Sequence, residues 1–259
     1  MKVGIYDLND CTSLEYKERL SVYKENGFSS VGVYLDDNYM ANGENYLDII
    51  DYARKIGLEV NQVHVDYKIS NLICDDTSNI YFDYVEEKLN ECIQLGISYM
   101  VLHASKGNDA PLISEIGIEK LSNLMRKYDG SDVYLCFENV RDNRNLNMIL
   151  KENINNVGMC YDMGHAHCYG DENEILMKYK NKILCTHLHN NNKKDTHDGL
   201  FEGEIDSKKI ISFLNKFKKI DNCLEIFPER GKVLDREEFI GFVKGNYNDY
   251  MECVRKNKR

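Results

Sequence analysis

The sequence has no run of about 18 consecutive apolar residues, the length a membrane-spanning helix needs. Its first residues, MKVGIYDLND, lack the basic and then apolar stretch of a secretory leader, so the chain is expected to be cytoplasmic. Positive charge is scarce: 33 Lys and Arg stand against 43 Asp and Glu, a formal net charge of −10. That balance disfavours a nucleic-acid backbone as partner unless a local cleft overrides the total. CxxC pairs are absent although there are nine cysteines. An odd number without framework spacing points to free thiols in a reducing compartment. No GxGxxG or GxxxxGK[ST] turn follows the first apolar run, which removes the usual dinucleotide and P-loop signals. Linkers and low-complexity segments are also lacking, so residues 1–259 are expected to form a single domain, ending in a short, solvated basic tail, VRKNKR. The two prolines read as composition bias and carry no mechanism.

What the chain does contain is a repeated grammar. ENGFSSVGVYL, KIGLEVNQVHV and QLGISYMVLHA each end a charged, periodic stretch in glycine and continue into an apolar run. Gly27, Gly57 and Gly96 sit where a left-handed residue would end a helix before the next strand. The first helix is expected to be capped by Thr12 with Glu15 three residues on, placing Tyr16, Leu20 and Tyr23 on one face. Strands are expected near 2–7, 30–35, 59–65, 98–104, 132–139, 157–163, 183–189 and 222–227, with eight helices between and after them, the last near 235–255. Eight βα units in about 250 residues suggest an α/β fold closed as a (β/α)8 TIM barrel, with an open doubly wound sheet as the alternative.

The ends of six consecutive strands carry chemistry. QVHVD places His64, VLHAS His103, CFENV Glu138, CYDMGH Asp162 and His165, CTHLH His187 and CLEIF Glu225. In a barrel such ends converge on the face where active sites are built. Carboxylates and imidazoles gathered there are costly without a compensating charge, and a divalent cation supplies it. Two residues before the last four of these positions stand Cys136, Cys160, Cys185 and Cys223. Strand alternation aims them at the interior one layer lower, where they read as reduced, buried, non-catalytic thiols filling the core.

LCFENV, GMCYDMGHAH and THLHNNNKKDTHDGLFEGEID resemble the xylose isomerase-like TIM-barrel superfamily, over residues 60–228. That superfamily includes sugar and sugar-phosphate isomerases and epimerases and the zinc-dependent abasic-site endonucleases of the endonuclease IV family. In the isomerase and epimerase branch the resemblance implies one divalent ion (Mn, Mg, Co or Zn) on Glu138, Asp162, His187 and Glu225. It further implies proton transfer by Glu138 and Glu225 next to a carbonyl, through an enediolate held on the metal, with His64, His165 and Lys193 binding substrate. The substrate would be a small sugar or sugar phosphate, and a homodimer is compatible. In the endonuclease branch two further zinc ions, three in all, would lie on His64 with His103 and on His165 with Asp195 and His197, Glu138 bridging. A related metal-dependent dehydratase is another alternative.

The wording of the loop favours the isomerase branch: HLHNN at 187–191, Asp195 with His197, and EGEID at 202–206. Asn190 stands where relatives carry Asp, and HAS at 103–105 where HPG is typical. His189 and His167 read as rim or supporting residues rather than ligands. Lys193 and Lys194 are solvated loop charges of which a phosphate or polyol would welcome one. Tyr67 is the one candidate for an intercalating side chain, but among Asp66, Asp75 and Asp76 only Lys68 is basic near it, which counts against DNA.

Overall fold

A computed structural model describes residues 2–36, 38, 40–170, 174–229 and 231–256. The last three residues of the basic tail lie outside them. Eight parallel strands are ordered β1 to β8 as a closed barrel with helices between them, as the repeated helix–Gly–strand pattern implied. The chain divides into two compact units, Met1–Asn61 with Thr186–Arg259, and Gln62–Cys185.

The first unit contains β1 (Gly4–Tyr6), β2 (Ser30–Tyr34) and β8 (Asp221–Leu224), with α1 (Tyr16–Asn26), α2 (Tyr46–Lys55), α8 (Ser207–Lys216) and α9 (Arg236–Lys256). β1 is flanked by β2 (Ile5 opposite Val31) and β8 (Ile5 opposite Leu224). Leu20 and Tyr23 of α1 are buried and Tyr16 half-buried, as the periodicity required. Thr12 does not cap that helix. Its hydroxyl donates to the Leu234 carbonyl at 2.9 Å, tying the chain to a segment 222 residues away, and Glu15 takes the cap position without a side-chain bond. Arg19 shares the inward face of Tyr16 and Tyr23 although its charge favours solvent; it is fully buried and donates to Asp7, Glu44 and the Leu14 carbonyl at 2.6–3.0 Å. A buried cation persists only with such complete pairing.

The second unit contains β3 (Gln62–His64), β4 (Tyr99–His103), β5 (Tyr134–Glu138) and β6 (Val157–Asp162). Its helices are α3 (Ile80–Leu95), α4 (Glu115–Arg126), α5 (Arg144–Lys151), α6 (Met163–Tyr169) and α7 (Glu174–Tyr179). Among the described residues there are thus nine α-helices rather than eight, because two short ones precede β7 (Ile183–Leu188). Gly170, at φ 84°, ends the first of them in the left-handed region that glycine enters at little cost. Gly27, Gly57 and Gly96 have φ values of 103°, 81° and 61°, as the sequence pattern required. Cys136, Cys160 and Cys185 pack with Val101 in a fully buried cluster. Cys223 is buried in the first unit, and all nine cysteines are free. Burial lifts the Cys160 thiol well above its ordinary pKa, with Cys185 beside it adding to the effect.

Candidate metal centre

In the second unit the register sets His103 beside Glu138 and Glu138 beside Cys160, so Asp162 lies two residues farther along β6. Glu138 is 1% exposed and three imidazoles face it. Its Oε2 is 3.3 Å from His64 Nε2 and 3.1 Å from His103 Nε2, and its Oε1 is 3.1 Å from His165 Nδ1. His64 Nδ1 is 2.7 Å from the Val65 carbonyl, an acceptor only, so that nitrogen carries the proton. In the neutral ring the lone pair of Nε2 then points at a carboxylate oxygen, and only a cation or a shared proton makes that approach favourable. Burial holds the His103 pKa below its ordinary value, outweighing the opposing pull of Glu138. A neutral imidazole is the form that binds metals. The ligand atoms of His64, His103 and Glu138 lie within 4.8 Å of one another, as do those of Glu138 and Asp162.

Asn139, which follows Glu138 directly, organises this edge. Its Oδ1 accepts from the Asp162 amide at 2.8 Å and its Nδ2 donates to the Asp162 carbonyl at 2.9 Å, locking the ends of β5 and β6 together. Its own carbonyl is 3.0 Å from His165 Nδ1. Asp162 is fully buried and caps α6, its Oδ1 accepting from the His165 amide at 2.5 Å. His167, two residues after His165, is buried on the same helix. Nothing in the pattern of residues singles out Asn139 except its place next to a strand-end Glu, which is a usable signal.

The first unit contributes a second cluster. His187, fully buried at the end of β7, has Nδ1 3.1 Å from Glu225 Oε2, and the Tyr6 ring packs nearly perpendicular to its imidazole at 4.9 Å between centroids. Tyr6 was not anticipated, because a strand tyrosine reads as core. His197 turns through φ 55° and sets Nδ1 2.9 Å from the Glu225 carbonyl and Nε2 3.3 Å from Asp195 Oδ1. His189 is fully buried and stacks on His197 with ring centres 3.9 Å apart, and the ligand atoms of His189, Asp195 and His197 lie within 4.8 Å of one another. Of the rim or supporting role expected for it, this burial against His197 fits the supporting one. Lys193 is exposed, at φ 60°.

The loop from 190 to 206 is organised by Asn190. Its Nδ2 donates to the Leu200 and Ile205 carbonyls at 2.9 and 3.2 Å, and its Oδ1 accepts from the Asn191 and Ile205 amides at 2.8 and 2.9 Å. Both ends of the amide are used, so Asn performs a structural task that Asp cannot. Gly203 is required beside it, since a Cβ there would lie 2.3 Å from Asn190 Oδ1. Asp206 then caps α8 by accepting from the Lys208 amide at 2.8 Å. The loop motif is therefore a folded scaffold that delivers Asp195 and His197.

These residues fit a divalent cation: each cluster joins a buried carboxylate to imidazoles, and His64, His165, His189 and His197 set Nδ1 against a main-chain carbonyl, the usual way of orienting a metal-ligating histidine. Comparison with known proteins agrees with the fold. A model of the xylose isomerase-like TIM barrel matches residues 20–241. The chain belongs to that family. No curated protein matches the sequence. Among solved structures, an L-ribulose 3-epimerase is similar to this xylose isomerase-like chain with a TM-score of 0.74 at 14% identity, over 100% of this chain and 96% of that one. A D-psicose 3-epimerase from Clostridium cellulolyticum H10, determined with D-tagatose, gives 0.74 at 13% identity over 98% and 99%. A probable 3-DHS dehydratase involved in petrobactin synthesis in Bacillus anthracis gives 0.71 at 16% over 97% and 99%. Identities this low establish a shared fold alone. Among the described residues no helix is long and apolar enough to cross a membrane.

Proposed function

We propose that residues 1–259 act as one catalytic domain, a divalent-metal-dependent isomerase or epimerase of a small sugar or sugar phosphate. The observation that carries this reading is a pair of buried strand-end carboxylates, Glu138 and Glu225, 1% and 5% exposed, each set against imidazole. Glu138, Asp162, His187 and Glu225 would hold the ion, which can be Mn, Mg, Co or Zn. When bound, such an ion polarises a carbonyl and its neighbouring hydroxyl and so acidifies the C–H between them. Glu225 removes that proton and Glu138 returns one, each carboxylate within reach of an imidazole that orients it. His64, His165 and Lys193 hold substrate oxygens. Burial excludes water from the proton while it is held.

Solvent deuterium incorporation tests this reading. Metal-loaded protein incubated with ketoses and their phosphates in D2O should label the carbon next to the carbonyl. Glu225→Gln should abolish the label while the fold persists. Label retained at the wild-type rate in that variant would remove Glu225 as the base.

One observation favours a second reading. Three imidazoles on the two oxygens of Glu138 exceed what a single-ion site uses. If His64 and His103 hold one further ion and His165, Asp195 and His197 another, the protein is a trinuclear zinc phosphoesterase. Three zinc equivalents per chain together with cleavage of abasic-site DNA would select it.

A further inference from the structure

Two layered stacks flank Glu138 in the second unit. On its Oε2 side, His103 is followed by the Tyr67 ring, 5.9 Å away at 32°, and then by the Lys106 ammonium, 5.1 Å from the Tyr67 centroid. On its Oε1 side, His165 is followed by the Tyr169 ring, 5.8 Å away at 35°, and then by the Arg141 guanidinium, 5.0 Å from the Tyr169 centroid. Each stack runs carboxylate, imidazole, tyrosine, cation. Both cations lie at a distance from the ring centre where cation–π attraction is appreciable.

The cations are held in place and left without acid partners. Asn71 fixes the main chain of Lys106, accepting from its amide at 2.8 Å and donating to its carbonyl at 3.0 Å. Arg141 donates to Asn108 Oδ1 at 2.9 Å, so the loop that carries Lys106 also anchors the guanidinium. Both side chains are exposed, and among the described residues neither has a carboxylate partner. Asp142, next in sequence to Arg141, is taken by Arg144 at 2.6 Å, and the arginine beside it holds its carboxyl below the ordinary range. In a chain of net charge −10, two cations ordered at the strand ends and left unneutralised call for an anionic ligand.

We propose that Lys106 and Arg141 bind the phosphate of a phosphorylated sugar, with Tyr67 and Tyr169 as the platforms on which the two cations rest. A guanidinium offers phosphate a planar pair of donors and an ammonium adds a point charge. The phosphate is a monoester on a small molecule: Asp66, Asp75 and Asp76 near Tyr67 repel the extended backbone of a nucleic acid. This proposal rests on the reading of the protein as a sugar isomerase or epimerase and narrows its substrate class.

Calorimetry with inorganic phosphate on the metal-loaded full chain tests the subsite without requiring turnover. Lys106→Gln and Arg141→Gln should each weaken phosphate binding by about tenfold, one charged hydrogen-bonded contact apiece, and the double variant by more. Metal content and unfolding midpoint should match the wild type in all three. Phosphate bound equally well by the double variant would overturn the proposal, showing that the ion alone holds it. Competition by a single-stranded oligonucleotide stronger than that by fructose 6-phosphate, and lost in the same variants, would also overturn it. Isomerisation with equal kcat/KM for free and phosphorylated ketoses would remove the subsite and keep the proposed activity. Phosphate binding that the variants abolish, in a protein that turns over no sugar, would keep the subsite and remove the activity.

Discussion

His64 Nε2 stands 3.3 Å from Glu138 Oε2 while the same ring meets the Val65 carbonyl through Nδ1 at 2.7 Å. The second contact places a proton on Nδ1, so that in the neutral ring the first is an approach of two acceptors, which a cation or a shared proton resolves. Glu138→Gln keeps the shape and removes the charge. It should weaken divalent-ion binding by about tenfold or more, the scale on which oriented ligand shells act. Titration of apo protein with Mn or Zn, followed by calorimetry, measures this, and unchanged affinity would show that Glu138 is not a ligand.

Asn190→Asp should destabilise the loop that carries Asp195 and His197. The aspartate would present oxygen to the Leu200 and Ile205 carbonyls that now accept from the amide. Two buried acceptors left facing a third should cost about 1–3 kcal/mol or more. Urea unfolding reads the loss, and limited proteolysis should cut the variant within 190–206 before the wild type.

Arg19→Ala should destabilise the first unit by about 3–5 kcal/mol, since Asp7 and Glu44 would keep their charges without the cation that neutralises them. A loss under 1 kcal/mol in chemical denaturation would mean that water reaches and solvates those acids.

Thiol chemistry should be nearly silent in the folded protein. Seven of the nine cysteines are buried, Cys74 and Cys168 being half-buried. Burial pushes the Cys92 thiol up to about 12 and Cys253 to about 11, so at neutral pH the reactive thiolate is scarce as well as covered. Titration with Ellman's reagent should find at most two prompt thiols before unfolding and nine after it. Rapid reaction at Cys160 or Cys185 would contradict the packed layer beneath the strand ends.

Much of this fold was legible in the sequence because its punctuation is local. Gly27, Gly57 and Gly96 end helices through their own backbone freedom, and the apolar runs after them become strands whatever the rest of the chain does. The candidate strand-end residues stood out for a related reason: a His, Glu or Asp closing an apolar run is conspicuous, and in a barrel the C-terminal strand ends lie on one face. What escaped depends on partners distant in sequence. Thr12 satisfies Leu234 rather than the helix beside it. Arg19 goes inward because two acids from other segments receive it, a pairing invisible to helical periodicity. Asn190 looked like a lost charge until the carbonyls at 200 and 205 came into view. Lys106 and Arg141 carry no signal of their own in sequence and acquire one only from the tyrosines beneath them.

Elemental analysis of protein purified without chelator, repeated after titration with Mn, Co, Zn and Mg, shows whether the strand-end residues hold a functional divalent ion. At least about one tightly held equivalent per chain is expected, lost in Glu138→Gln and in His187→Ala, with about three zinc equivalents selecting the phosphoesterase reading. A folded protein that retains no ion under any of these conditions would contradict the metal-dependent reading.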